Sequence, residues 1–240
     1  MLEIGSLSKS FGGLNALTNV SVKVSEGDFV GLIGPNGSGK TTFFNVLTGV
    51  LRPTSGRITF MGHNIARLTP DEICNLGIAR TFQIPRPFGT MSVIDNVMAG
   101  ALFGRSRSAN SSQEVRQEAL RCMDFVGLKV DEGTMPGELG APGLRRLEIA
   151  RALATRPKLL LLDEVIGGLN QEEIEEASSV LKSIRDELKI TLIWVEHIMA
   201  ALMNVVDRVV VLDYGEVIAE GTPLRISRDE RVIEAYLGVE

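Results

Sequence analysis

Four runs of apolar residues stand out along the chain: Phe29-Val30-Gly31-Leu32-Ile33, Leu159-Leu160-Leu161-Leu162, Thr191-Leu192-Ile193-Trp194-Val195 and Val209-Val210-Val211-Leu212. They are short and nearly free of polar positions, the pattern of strands covered on both faces in a parallel sheet. Between the second and third runs, Ile174, Ala177, Leu181, Ile184 and Leu188 recur at helical spacing. Asn170 precedes that stripe and Glu173 follows it by three residues, the spacing of a capping box. Strand, helix, strand in this order predicts right-handed crossovers and a parallel α/β core that binds ligands at the carboxyl ends of its strands.

The rest of the pattern fills in around that core. Leu2-Glu3-Ile4 reads as a short strand and Gly12-Gly13 as a turn. Val20, Val22 and Val24 alternate with polar residues before a turn at Glu26-Gly27, so the N-terminal region reads as edge β structure. Thr54-Ser55-Gly56 reads as a turn ahead of the strand Arg57-Ile58-Thr59-Phe60, and Ile78-Ala79-Arg80-Thr81-Phe82 as a further strand with Gln83 at its exit. Pro85 and Pro87 remove ladder donors, which predicts a loop with exposed apolar groups over Ile84-Pro85-Arg86-Pro87-Phe88-Gly89. From Thr90 to Pro157 the spacing turns helical. Val115, Ala119, Cys122, Met123 and Val126 share one face, with Gly127 as the C-cap, and Leu144, Leu147, Ala150 and Ala154 form a second stripe ended by Pro157. Ser106 to Ser112 is polar and reads as a loop, Gly215 to Gly221 as a hairpin, and Glu230 to Leu237 as a terminal helix.

The first apolar run leads into Gly34-Pro35-Asn36-Gly37-Ser38-Gly39-Lys40-Thr41-Thr42, which fits the phosphate-loop pattern G-x-x-x-x-G-K-[ST] between a strand and a helix. Gly34, Gly37 and Gly39 let successive backbone N–H groups point inward at a phosphate chain, and the following helix adds its positive end. Lys40 would reach the β- and γ-phosphates, and the Thr41 hydroxyl would join the shell of Mg²⁺. Asp163-Glu164 closes the leucine run, so Asp163 can hold Mg²⁺ and Glu164 can polarise the attacking water as general base. His197 follows the Trp194 strand, where it can donate to a γ-phosphate or position Glu164; Gln83 can orient water or sense Mg²⁺. Phe11 is either a core residue or a platform for a purine ring.

Composition narrows the partners. The 240-residue chain is 44% hydrophobic, enough for a large core with a subdomain. Its net charge of −5 argues against nucleic acid as a partner. Two cysteines, Cys74 and Cys122, make no disulfide framework and suit a reducing cytosol. No apolar run is long enough to span a bilayer and the N-terminus carries no signal-peptide pattern, so any service to a membrane is from its surface.

Taken together, the chain resembles the nucleotide-binding subunits of ABC transporters over nearly its whole length, most of all those of branched-chain amino acid importers. The resemblance rests on Lys9-Ser10-Phe11-Gly12-Gly13, the phosphate loop, Arg80-Thr81-Phe82-Gln83, Arg146-Leu147-Glu148-Ile149-Ala150-Arg151-Ala152-Leu153 and Leu162-Asp163-Glu164. It continues through Gly168-Leu169-Asn170, Val195-Glu196-His197, Asp207 to Gly215, Ile218 to Pro223 and Glu234 to Gly238. It implies a P-loop NTPase core with a parallel sheet, an N-terminal antiparallel β subdomain and an inserted helical subdomain. The core would be residues 1–82 and 158–240, and the glutamine loop and helical subdomain residues 83–157.

The resemblance also implies roles. Phe11 would stack on adenine, with Gly34, Asn36, Gly37, Ser38, Gly39, Lys40, Thr41 and Thr42 holding the ATP phosphates. Thr41, Gln83 and Asp163 would serve Mg²⁺, Glu164 would be the base, His197 the switch histidine, and Asn170 would lie in a loop crossing the dimer interface. Two subunits, identical or paralogous, would close head to tail over two ATP molecules on the cytoplasmic face of the inner membrane. Closure would drive a membrane permease docked on the Gln83 to Phe88 loop and the helical subdomain, served indirectly by a solute-binding protein.

One segment departs from the family. The signature loop usually written LSGGQ falls on Leu139-Gly140-Ala141-Pro142-Gly143, which lacks the serine hydroxyl at Gly140 and an N–H at Pro142. Val165, Ile166 and Leu144 are also atypical. Loss of such donors predicts slow turnover at the composite site this signature serves. It keeps open an alternative to the transport ATPase: an ATP-binding regulatory subunit with weak hydrolysis. A soluble P-loop kinase or GTPase is disfavoured, because no acceptor-site or base-reading motif accompanies the loop.

Overall fold

The computed structural model describes residues 1–104 and 111–237. Its elements in chain order begin with β1 (Leu2–Phe11), β2 (Leu14–Val24), β3 (Phe29–Ile33), α1 (Lys40–Leu47), β4 (Ser55–Phe60), β5 (His63–Asn64), α2 (Pro70–Leu76) and β6 (Ile78–Arg80). Next come α3 (Val93–Phe103), α4 (Ser112–Phe125), α5 (Ala141–Ala154), β7 (Leu159–Asp163), α6 (Gln171–Asp186) and β8 (Thr191–Val195). The chain ends with α7 (Met199–Met203), β9 (Arg208–Asp213), β10 (Glu216–Gly221), α8 (Pro223–Ile226) and α9 (Glu230–Leu237). By internal contacts the chain forms two compact units, Met1–Ile73 with Thr191–Glu240, and Cys74–Ile190.

The first unit contains two kinds of sheet. β2, β1, β4 and β5 pair antiparallel in that order. Leu2 and Ile4 of β1 and Val20, Val22 and Val24 of β2 are buried, as their alternation requires. β3 lies between β8 and β9 and runs parallel to both, while β10 pairs antiparallel with β9. Every residue of β3 and β8 is buried, which explains why neither run alternates. Trp194 and Phe29 pack as a tilted pair, ring centroids 5.9 Å apart. The hairpin between β9 and β10 turns at Tyr214-Gly215, both at positive φ.

The second unit pairs β6 parallel to β7, and α3, α4 and α5 pack on one another. Val115, Ala119, Cys122 and Met123 are the buried face of α4. Burial pushes the Cys122 thiol up to about 12, so this cysteine packs and does not act as a nucleophile. Asn170 caps α6 as the sequence predicts: its side chain accepts from the Glu173 N–H at 3.0 Å, and Glu173 returns the bond to the Asn170 N–H at 2.8 Å.

Several boundaries differ from the sequence reading. The first strand continues to Phe11, with register shifts after Ile4. Ser55 and Gly56 lie inside β4, not in a turn; Gly56 has φ +99° at a break in the β1–β4 register, a bulge rather than a reversal. The strand expected over Ile78–Phe82 stops at Arg80, because the Phe82 N–H turns to the Glu148 carboxylate at 3.0 Å. Leu188 lies beyond the end of α6 and is exposed. Of the loop expected over Ser106 to Ser112, Ser106–Asn110 falls outside the described residues, whereas Ser111 caps α4 and Ser112 begins it. Helix α2 had no apolar stripe to reveal it; its local signal is the Thr69 N–H bonded to Glu72 at 2.8 Å, half of a capping box.

Candidate functional site

In the first unit, the carboxyl end of β3 delivers the chain to the phosphate loop. Gly34 has φ +153°, and a Cβ there would stand 2.0 Å from the Leu212 carbonyl oxygen, so only glycine fits. Gly37 and Gly39 take φ +81° and +104°, and Gly39 is the N-cap of α1. The loop is anchored from outside as well: the Gly215 N–H donates to the Ser38 carbonyl at 3.0 Å and the Thr18 N–H to the Gly215 carbonyl at 2.8 Å. Lys40 is buried, and its ammonium donates to the carbonyls of Gly34 at 2.6 Å and Pro35 at 2.9 Å. The cation is thereby held inside the curve of the loop, over the N-terminal end of α1, where an anion is favoured. Thr41 is exposed and Thr42 half-buried on the first turn of α1; Asn36 is exposed and Ser38 buried.

Other predicted residues of this unit fall around the sheet. Phe11 ends β1 and is 45% exposed, so it is not a core residue, and the Lys9 ammonium lies over its ring, 4.9 Å from the centroid. His197 follows the end of β8 and is exposed, its N–H bonded to the Glu196 carboxylate at 3.1 Å. A feature the sequence did not reveal is the seating of α9 beside the loop. Arg231, Glu234 and Ala235 share a cavity of about 640 Å³ with Pro35 to Ser38. The Tyr236 hydroxyl, pushed up by burial, is drawn back down by a hydrogen bond with the Gly34 backbone.

In the second unit, Asp163 is the last residue of β7 and is buried. Its carboxylate accepts from Arg80 at 2.6 Å, and its N–H donates to the Thr81 hydroxyl at 3.1 Å. Neither partner has a local sequence signal pointing to Asp163; they reach it through the β6–β7 pairing. Glu164 takes a positive φ of 48°, turning its side chain out of the strand direction, and accepts from the Gln83 carboxamide at 2.6 Å. The structure thus brings Gln83 and Glu164 together, two residues 81 positions apart. Ile84 and Phe88 in the proline-bearing loop are 69% and 51% exposed, as the sequence predicts.

The atypical signature segment is structurally sound. Gly140 is the N-cap of α5 without a side-chain cap bond, and Pro142 sits in the first turn. First-turn amides have no partner within a helix, so proline leaves the helix intact and removes only a donor that would face outward. The departure therefore falls on what the helix end can bind.

Comparison with known proteins places these features in a family setting. The ABC transporter family model matches residues 17–167, and a second, branched-chain amino acid ATP-binding cassette transporter, matches residues 216–240. The chain is 37% identical to the high-affinity branched-chain amino acid transport ATP-binding protein BraF of Pseudomonas aeruginosa, covering 99% of this chain and 98% of that one. It is 35% identical to a probable branched-chain amino acid transport ATP-binding protein of Archaeoglobus fulgidus, covering 100% of this chain and 96% of that one. Among solved structures, it superposes on the ATP-binding cassette MJ1267 of an ABC transporter with a TM-score of 0.89 at 32% identity, over 99% of each chain. It matches the ATP-binding cassette MJ0796, a dimer in a post-hydrolysis state bound to ADP and Pi, with a TM-score of 0.84 at 28% identity, over 93% of this chain and 99% of that one.

Proposed function

Because the chain belongs to the ABC transporter family of ATP-binding proteins, we propose that it is the ATP-binding and hydrolysing subunit of an importer for branched-chain amino acids. The observation that carries this reading is the phosphate loop, with Lys40 held on its own loop carbonyls and three glycines at positive φ. Lys40 exchanges those carbonyls for phosphate oxygens when ATP binds, and Gly34, Asn36, Gly37, Ser38, Gly39, Thr41 and Thr42 supply the surrounding donors. Phe11, exposed and flat-faced, stacks on the adenine.

Glu164 acts as the general base, and Gln83, bonded to it at 2.6 Å, orients the water it polarises. His197 is the switch that contacts the γ-phosphate. Thr41, Gln83 and Asp163 offer a hydroxyl, an amide and a carboxylate oxygen, the hard donors that suit Mg²⁺, and phosphate and water complete its shell. Among the described residues no group of three acidic, histidine or cysteine side chains gathers to hold a metal. When bound, Mg²⁺ neutralises charge developing on the phosphates. Asp163 must then share its carboxylate with Arg80, which holds it at 2.6 Å.

The division of labour follows the family: residues 1–82 and 158–240 form the nucleotide core and residues 83–157 the glutamine loop and helical subdomain. Ile84 and Phe88 give that loop an exposed apolar face for a permease helix. No helix among the described residues is long and apolar enough to cross a membrane, which suits peripheral attachment at the cytoplasmic face of the inner membrane. A second ATP-binding subunit, a copy or a paralogue, completes the dimer, and a solute-binding protein acts through the permease. The loss of donors at Gly140 and Pro142 makes turnover slow at the composite site that this signature serves. Phosphate release by the purified chain and its co-purification with a polytopic membrane protein test the reading. Release without any acceptor is expected, and transfer of phosphate to an acceptor would refute it.

A further inference from the structure

Three charged residues of α5, spaced three apart, face one stretch of backbone in the second unit. Glu148 is only 4% exposed and accepts from the N–H groups of Phe82 at 3.0 Å and Arg86 at 3.3 Å. Arg145 donates to the Gln83 carbonyl and, at 3.4 Å, to that of Phe82. Arg151 donates to the Arg86 carbonyl at 2.9 Å and to Glu148 at 3.3 Å, with its guanidinium 5.6 Å from the Phe88 ring centroid.

The segment needs such partners. Its prolines keep it out of any sheet, so its remaining polar groups must be satisfied from elsewhere. Burial pushes the Glu148 carboxyl up, and the two amides and the neighbouring arginines draw it back down. An apolar residue would pack α5 at lower cost, which singles out the carboxylate as a holder of the loop. The loop so held carries the Gln83 carboxamide to Glu164 at 2.6 Å.

We propose that Glu148 is a positioning residue for ATP hydrolysis: through the Phe82 and Arg86 amides it fixes the loop that delivers Gln83 to Glu164, with Arg145 and Arg151 as side clamps. The inference rests on the reading of Glu164 as the base. It makes the glutamine loop and α5 one moving body, so that a displacement of α5 shifts the water-orienting amide. A misplacement near 1 Å at a reacting group can cost on the order of a hundredfold in rate.

The test uses the full chain and compares wild type with Glu148→Ala and Glu148→Gln, measuring single-turnover phosphate release, Mg·ATP affinity and melting. Glu148→Ala is expected to lower the hydrolysis rate by about tenfold to a hundredfold. ATP affinity should stay within about twofold, because the phosphate loop is untouched. Glu148→Gln should recover part of the rate, since its carbonyl oxygen accepts one of the two amides, and it carries the comparison alone should Glu148→Ala not fold. Wild-type hydrolysis with an undiminished rate in both variants overturns this inference while leaving the proposed function standing. A rate and an affinity that fall together with the folded fraction also overturn it, by showing Glu148 to be structural only. A wild-type chain that binds ATP and releases no phosphate, by itself or joined by a paralogous ATP-binding subunit, overturns the inference and the proposed function together.

Discussion

Gly34 and Gly37 share the left-handed half of backbone space but not the same surroundings. A Cβ at Gly34 would strike the Leu212 carbonyl oxygen at 2.0 Å, whereas at Gly37 it meets nothing within 4 Å. Gly34→Ala should therefore cost about 3 kcal/mol or more of stability, and Gly37→Ala only about 1 kcal/mol of backbone strain. Equal shifts of the two urea midpoints would contradict this. Arg80 and Asp163 make a buried pair, so Arg80→Ala leaves a carboxylate uncompensated and should destabilise by about 3–5 kcal/mol. Glu148 carries a pH signature. Burial raises its folded value above the unfolded one, so its contribution to stability is full below the ordinary carboxylate range and is lost as pH rises through the folded value. Moving from about pH 7 to about pH 5 should shift the stability difference between wild type and Glu148→Gln in favour of wild type. The phosphate-loop glycines and Lys40 were legible in the sequence because their chemistry is local. Arg80 and Glu148 were not given these partners, since a side chain that reaches across 62 to 83 positions leaves no spacing to read.

At the scale of elements, the strands buried on both faces and the capped helix α6 match their sequence patterns closely. Asn170→Ala removes one arm of the capping box and should cost about 1 kcal/mol, measured by chemical denaturation. Short elements were harder to read: α2 and α7 have seven and five residues, too few for an apolar stripe to repeat. β6 ends early because Glu148, and not a neighbouring strand, takes the Phe82 amide. Helix α5 tests the signature argument. Since Pro142 is compatible with its first turn, Gly140→Ser with Pro142→Gly should leave the fold unchanged and raise turnover at least about tenfold. Adding Gly143→Gln is less simple, because a Cβ there meets that of Leu139 at 3.2 Å and the leucine must give way. Turnover of the unmodified homodimer at the rate of a relative with an intact LSGGQ would defeat the argument.

For the molecule as a whole, the family reading makes two chains the working unit. Glu164→Gln should bind ATP without hydrolysing it and accumulate as a closed dimer, visible as a doubling of mass in light scattering; a persistent monomer would count against dimer closure. Membership of the family was legible because its motifs lie spread along nearly the whole chain, from Lys9 to Gly238. The seating of α9 beside the phosphate loop was not, because a terminal helix shows an apolar face without naming what it covers. All of these roles depend on a triphosphate held by the loop from Gly34 to Thr42. Equilibrium titration of the full chain with Mg·ATP tests that claim most directly. Saturable binding of one nucleotide per chain, abolished by Lys40→Ala in a protein of unchanged fold, is the expected result. No saturation, or binding indifferent to Lys40→Ala, would contradict it.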